Sequence, residues 1–294
     1  MWRFYLSSWA ENDKIWTLIK SKILVPQSTE EVGKKRYMYK VVLPTREEHE
    51  LAKKFYKVEE MEPGFRKLAE GWIIPFELLY FASELKRDNK VKDQEAADYI
   101  DYLMSNAEED IHAGFERDSF KYFHSMKDND FSFLDNEDDR ILFSYFTALQ
   151  FLRTLRNRNA MLNALTHKQI HDALEKTWNY GKFIVENRFG ANLFKCKIEI
   201  FHNKTNIPFI TSDQPVINLD AKFNGDGTPP KTMKLYYPIS PQIALCFIAG
   251  NMETEHKNVE DYYEVEKLND LMHKWSENHT FSNYEIRLKK YIEE

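Results

Sequence analysis

The 294-residue chain has only two cysteines, Cys196 and Cys246. Two thiols make neither a disulfide scaffold nor a zinc cluster. Both fall in strand-like apolar runs, so they read as reduced core thiols of a cytosolic protein. Long hydrophobic runs are also missing. The longest, ILFSYFTALQFL (141–152), is too short to span a bilayer. The opening MWRFYLSSWA lacks a basic region followed by a long apolar one, and no signal peptide is expected. There is no glycine-rich phosphate loop, no GxSxG elbow and no C-x-x-C pair, which removes the main support for ordinary nucleotide-binding and serine-hydrolase readings. No internal repeat or low-complexity segment is visible. Neither sign of charge dominates. With 41 basic and 47 acidic residues the net is −6, which argues against wholesale coating of nucleic acid and leaves a local basic groove open.

What is present is a core. Apolar residues reach 43% and aromatics 15%, enough to fold and too much for disorder. The pattern predicts a single α+β domain over 1–294, mainly helical, with a small antiparallel sheet formed by N-terminal and C-terminal strands. Strands are expected in 1–43: WRFYLSSW, then the turn AENDK, then IWTLIK (15–20) as a hairpin, and KKRYMYKVVL (34–43). A helical region follows over 45–185, with segments near 46–61, 64–88, 93–127, 137–159 and 167–180. Thr45 with Glu48, and Thr166 with Gln169, have capping-box spacing, and Pro75 should kink or split the second segment. Strands return over 194–250. Lys195, Lys197 and Glu199 alternate with Cys196, Ile198 and Ile200, so one face is buried. IPFIT (207–211) should pair back on that strand, and MKLYYPISPQIALCFIAG should give two strands joined at PISP. A C-terminal helix over 259–278 carries Leu268, Leu271, Met272 and Trp275 on one stripe.

Four constellations carry polar chemistry. The run NIPFITSDQPVINL ends a strand on Thr211, Ser212 and Asp213 before Pro215 breaks the ladder. Asp213 could close an Asx-turn while the hydroxyls satisfy loose backbone groups. Equally, the strand end could present an acid and two hydroxyls to a cleft, to bind a metal, orient a water or hold a polar ligand. His167 and His171 share a helix face with Glu175, a metal-ligand spacing, but no third ligand follows, and a solvated face is the simpler reading. Arg117 to His124 fits the R-x(4–6)-H pattern of the HEPN ribonucleases, a match expected about once by chance in such a chain. In QFLRTLRNR, Gln150, Arg153 and Asn157 would share one face. Basic residues at a helix C-terminus are favoured by the macrodipole alone. Arg153, placed after a very apolar run, should also need an anionic or carbonyl partner, with Asp213 or a phosphate or carboxylate ligand as candidates.

Several of these pieces occur together, in order, in one family. Trp2-Arg3-Phe4-Tyr5-Leu6-Ser7-Ser8-Trp9, Gln150-Phe151-Leu152-Arg153-Thr154, Ile210-Thr211-Ser212-Asp213-Gln214-Pro215-Val216, Pro238-Ile239-Ser240-Pro241 and Leu268-Asn269 span nearly the whole chain. With these the chain resembles domain-of-unknown-function family 4238, mostly bacterial proteins of about this size. T-S-D-x-P-V is the most specific element. Gln214 replaces the family's usual Asn, Ile239 its Leu, and Trp2 its Pro. Met1 falls where the family has Val, two residues after a histidine that these residues therefore lack. GUG encodes Val and also serves as a start codon, so the resemblance implies a start further upstream. Finding Met1 at the native N-terminus by mass spectrometry would exclude this.

The resemblance implies which residues recur together, not what they do. The leading expectation is a hydrolase-like site for a phosphate ester or phosphodiester, of the nuclease type and serving in phage defence. In it Asp213, Ser212 and Arg153 act catalytically. Thr211, Tyr5, Arg3, Gln150, Ser240 and Asn269 line the ligand. Asp213 would position a divalent metal or a water, and Arg153 would neutralise developing charge. Nucleic acid or a phosphorylated ligand is the expected partner, with no membrane. The alternative is a non-catalytic ligand- or protein-binding module in which T-S-D and P-I-S-P are structural turns. A HEPN-like ribonuclease using Arg117 and His124 at a dimer cleft is a third.

Overall fold

A computed structural model describes residues 3–32, 40–221 and 232–293. The elements run α1 (Arg3–Leu6), β1 (Lys14–Ile19), β2 (Ile23–Ser28), α2 (Arg46–Phe55), α3 (Pro63–Arg87), α4 (Gln94–Lys127), α5 (Glu137–Leu152), α6 (Leu155–Asn163), α7 (Lys168–Lys176) and α8 (Trp178–Phe194). Then come β3 (Lys197–Asn203), β4 (Thr211–Ser212), β5 (Ile217–Asn218), β6 (Lys234–Pro238), β7 (Ile243–Ile248), β8 (Thr254–Val259), α9 (Tyr262–Trp275), β9 (His279–Ser282) and α10 (Glu285–Glu293). The protein is a mainly helical α+β fold, as its pattern predicts. No helix among the described residues is long and apolar enough to cross a membrane.

The chain divides into two compact units. Unit 1 comprises Met1–Lys34, Ser119–Asn157 and Ala191–Glu294; unit 2 comprises Lys35–Asp118 and Arg158–Gly190. Unit 1 holds both sheets. The four-stranded sheet, ordered β2-β1-β9-β4, joins the N-terminal hairpin to the C-terminal strand, as expected. The strands also form a second, five-stranded sheet, β5-β6-β7-β3-β8, in which β3 and β8 run parallel. A single antiparallel sheet was the expectation. A core of Leu18, Phe209, Tyr236, Val265 and Met272, among others, fills unit 1. Unit 2 is helical among its described residues, with Ala52, Ile73, Phe76, Tyr180 and Ile184 in its core.

Several local expectations shift for physical reasons. WRFYLSSW is not a strand where described: Arg3–Leu6 is helical and Ser7–Trp9 a 3₁₀ turn. Tyr5 and Trp9, four residues apart, are both buried, a helical spacing that outweighs aromatic strand preference. The hairpin partner of β1 is instead β2, which pairs Ile19 with Ile23 around the left-handed Lys22 (φ 64°). Most of the strand expected at 34–43 lies outside the described residues, and 40–45 form no regular element.

The capping box at Thr45 and Glu48 forms. The one at Thr166 and Gln169 does not, because α7 starts one residue later with His167 at its N-cap. Pro75 leaves α3 unbroken across Pro63–Arg87. The 137–159 segment breaks at Arg153 and Thr154, and the 167–180 segment breaks at Thr177, after which α8 continues to Phe194. The 207–211 segment does not return on β3; Thr211 pairs with Phe281 of β9 instead. PISP does join β6 to β7, and Leu268 and Met272 point into the core from α9.

Candidate functional site

The T-S-D stretch ends as a short strand against β9, and its polar atoms turn inward. Tyr5 Oη lies 2.6 Å from Thr211 Oγ1 and donates to the Pro238 carbonyl at 2.8 Å. A carbonyl can only accept, so the phenol proton goes there and Thr211 donates to Tyr5. Burial pushes the Tyr5 phenol well above its ordinary value and keeps it neutral. Ser212 Oγ accepts the Gln214 amide at 3.1 Å and lies 3.0 Å from the Gln214 carbonyl.

Asp213 is a clamp. Its Oδ1 accepts the Glu277 amide at 2.8 Å, and its Oδ2 accepts the amides of Asn278 at 2.7 Å and His279 at 3.0 Å. Its own amide donates to the His279 carbonyl at 3.0 Å. One carboxylate thus fixes the turn that carries the chain from α9 into β9.

The remaining expected site residues are also engaged with the fold. Asn269 accepts the Ile210 amide at 3.0 Å and donates to the Pro208 carbonyl at 2.8 Å, holding the strand approach from α9. Ser240 Oγ accepts the amides of Gln242 at 3.2 Å and Ile243 at 3.1 Å, closing the β6–β7 turn. Gln150 is buried, and its Nε2 has no hydrogen-bond partner among the described residues. Arg3 is exposed and paired with Glu30 and, at 3.5 Å, with Asp13. Arg153 is half-buried at the C-cap of α5. The structure therefore brings Tyr5, Thr211 and Pro238 together, and Asn269 with the same strand. Asp213 faces the 277–279 turn.

That turn carries groups that the sequence pattern did not single out. His279 Nδ1 lies 3.5 Å from Asp213 Oδ2, with the imidazole partly exposed. Burial pulls the Arg156 guanidinium below its ordinary value, while Glu277 and then Asp213 act to hold its charge. The same guanidinium lies 4.7 Å from the Trp275 ring centroid. An acid and an imidazole thus face each other in unit 1, with an arginine near enough to feel the acid's charge. His279 is 66 residues from Asp213 and is visible only once β4 pairs with β9.

Unit 2 holds a second group that the sequence hides. Lys182 is fully buried and ion-paired with buried Glu108, and His112 Nε2 is 3.7 Å from the same carboxylate. Burial raises the Glu108 carboxyl above its ordinary value, and Lys182 opposes this. Glu186, one turn beyond Lys182, has no hydrogen-bond partner for Oε1 among the described residues and is pushed by burial up to about 8. The usable signal was spacing: Glu108 with His112, and Lys182 with Glu186, each sit four apart within apolar helical surroundings.

A pH effect follows from Glu186. The folded chain keeps this proton up to about pH 8, whereas an unperturbed carboxyl releases it near 4.5. The associated stability is complete below the unfolded value and is lost as pH rises through the folded one. Unfolding free energy should fall by up to about 1.4 kcal/mol per pH unit across that window. Urea midpoints measured from acid to mildly alkaline pH should show this slope in the parent and a flatter one in Glu186→Gln. Parallel profiles would mean that Glu186 titrates alike in both states.

The other candidates stand apart. His171 faces Asp172 at 3.4 Å, Glu175 faces Arg158 at 3.5 Å, and His167 is an exposed N-cap. Among the described residues no three His, Cys, Asp or Glu side chains gather as a metal set, at these positions or around Asp213. Arg117 and His124 are 80% and 67% exposed on α4, facing Asp118 and Asp128 respectively.

The fold is that of a mainly helical α+β protein in which the N-terminal hairpin and the C-terminal strand share one sheet. A family model described as "Protein of unknown function (DUF4238)" matches residues 3–285, and the chain belongs to that family. No curated protein and no solved structure matches the chain.

Proposed function

We propose that the chain is a phosphodiester-directed, hydrolase-like protein acting at the Asp213 edge of unit 1, with a nucleic-acid backbone as substrate. Service as a nuclease effector, for example in phage defence, is the concrete form. The observation that supports this reading is the placement of His279 beside Asp213 with Arg156 close by.

In this reading Asp213 is a positioning residue, because three backbone amides already occupy its oxygens. Its carboxylate sits at the Nδ1 side of the His279 ring, which leaves Nε2 to act as general base. His279 takes the proton of an attacking water, the new P–O bond forms as the ester P–O bond breaks, and the leaving oxygen takes a proton from solvent. Arg156 neutralises charge on the phosphoryl oxygens.

A second reading, a non-catalytic binding module, draws support from a different observation: Thr211, Ser212, Asp213, Ser240 and Asn269 all spend polar atoms on the chain itself. One experiment separates the two. Labelled RNA and DNA oligonucleotides are incubated with the protein, with and without Mg²⁺ and Mn²⁺, and both cleavage and retention are read. Cleavage that falls about 10²- to 10⁴-fold in His279→Ala, with an unchanged circular dichroism spectrum, is the expected result. Retention without cleavage would move the assignment to the binding module. Cleavage unaffected by His279→Ala would remove the proposed base.

A further inference from the structure

We propose that unit 2 binds a small amphipathic carboxylate, with an apolar body of medium-chain fatty-acid size, in the cleft bounded by α2, α6, α7 and α8. The inference is independent of the reading of unit 1. The cleft encloses about 250 Å³ and is lined by Tyr56, Leu162, Leu174, Trp178 and Ile184, with Arg188 from α8. A dry apolar cavity of about 150 Å³ already takes up benzene, so this one admits a body of about eight to ten carbons.

Two ionisable side chains line it, and they are not equivalent. Tyr56 packs its phenol against α8 where only glycine fits: a Cβ on Gly181 would lie 2.1 Å from the Tyr56 hydroxyl oxygen. Burial also raises the Tyr56 phenol far above its ordinary value, so it stays neutral. Arg188 is therefore the single charge of the cleft. It is exposed and has no ion pair among the described residues, whereas Arg66, Arg117 and Arg158 of the same unit each face an acid.

A guanidinium beside an apolar cavity suits one anionic head held bidentately, with the body removed from water behind it. The charge count favours a monoanion. A phosphate head would leave its second charge without a partner, since the lining offers one cation and, beyond the neutral Tyr56 phenol, no hydroxyl or amide side chain. A fully apolar ligand would leave Arg188 without a role.

The test is calorimetric titration of the full chain with sodium octanoate and sodium decanoate below their micellar concentrations. Octan-1-ol serves as the uncharged match. Octanoate is expected to bind with a Kd on the order of 10–100 μM and to raise the melting temperature. Arg188→Met should weaken octanoate about tenfold or more and leave octanol unchanged, because only a charge-assisted contact is lost. Two filling variants at half-buried lining positions, Leu165→Trp and Val185→Phe, should each abolish both, so the test survives if one fails to fold.

Four outcomes would overturn the proposal: no binding of octanoate at about 1 mM, octanol bound as tightly as octanoate, an affinity indifferent to Arg188→Met, or binding that persists in the folded filling variants.

Discussion

Replacing Lys182 by methionine is expected to destabilise the protein by about 3–5 kcal/mol. Lys182 is fully buried, and removing its ammonium leaves Glu108 in the interior without its strongest compensating charge. The total stability of a domain is about 5–15 kcal/mol, so the loss should be visible as a large drop in denaturant midpoint. Its size should depend on pH in a defined direction. Glu108 already has its carboxyl raised by burial, and without Lys182 it would rise further. The folded variant would then hold a proton that the unfolded chain releases. The penalty should therefore shrink at acid pH and grow toward neutrality. Glu108→Leu combined with Lys182→Met removes both charges and should recover most of the loss, because two apolar side chains carry no desolvation cost. A Lys182→Met midpoint within about 0.5 kcal/mol of the parent at neutral pH would show that the pair carries no such weight.

Asp213→Ala should cost about 3–4 kcal/mol, the largest effect expected of any motif residue. Hydrogen bonds to charged groups contribute about 1.5–3 kcal/mol each, and three converge on this carboxylate. They share one acceptor group and water reaches part of the turn, so the total falls below three separate bonds. Asp213→Asn keeps one oxygen but turns an amide donor toward backbone N–H groups, and it should recover about half of the loss. Chemical denaturation of the three proteins checks the order. Equal stability of parent and alanine variant would show that the turn holds itself. This effect also decides how activity data are read. Loss of cleavage in Asp213→Ala reports the collapse of the turn as readily as lost chemistry, which is why His279→Ala is the cleaner probe.

Local signals were read best. The capping box at Thr45 and Glu48 depends on residues three apart, and it forms as its spacing predicts. The core-thiol reading holds in part: Cys196 and Cys246 are buried and free, but only Cys246 lies in a strand, β7, while Cys196 falls just before β3. The four-stranded sheet and the family followed from order along the chain, a property the sequence displays directly. What escaped depends on partners far away in sequence. Asp213 could be weighed as turn or acid from its neighbours alone, but its three donors lie 64 to 66 residues downstream. Lys182 escaped for another reason. A charged residue in a helix is read as surface by default, and only its burial against Glu108 reverses that. Tyr5 and Trp9 show local preference losing to packing: aromatic residues favour strands, yet a single helical turn places both rings in the core of unit 1.

The strand order of the smaller sheet sets a schedule for synthesis. β1 lies between β2 and β9, so one of its edges has a partner as soon as the hairpin emerges, while the other waits for His279–Ser282. At typical elongation rates that interval lasts roughly a dozen seconds to a minute. Throughout it, Ile15 and Leu18, both buried in the finished protein, sit on a strand with an open ladder. Unit 1 cannot close from its N-terminus onward; its first strand is completed by nearly its last. A ribosome that stalls before His279 therefore releases a chain whose defect lies at the opposite end from the missing residues, as an unpaired β1 edge free to recruit another strand.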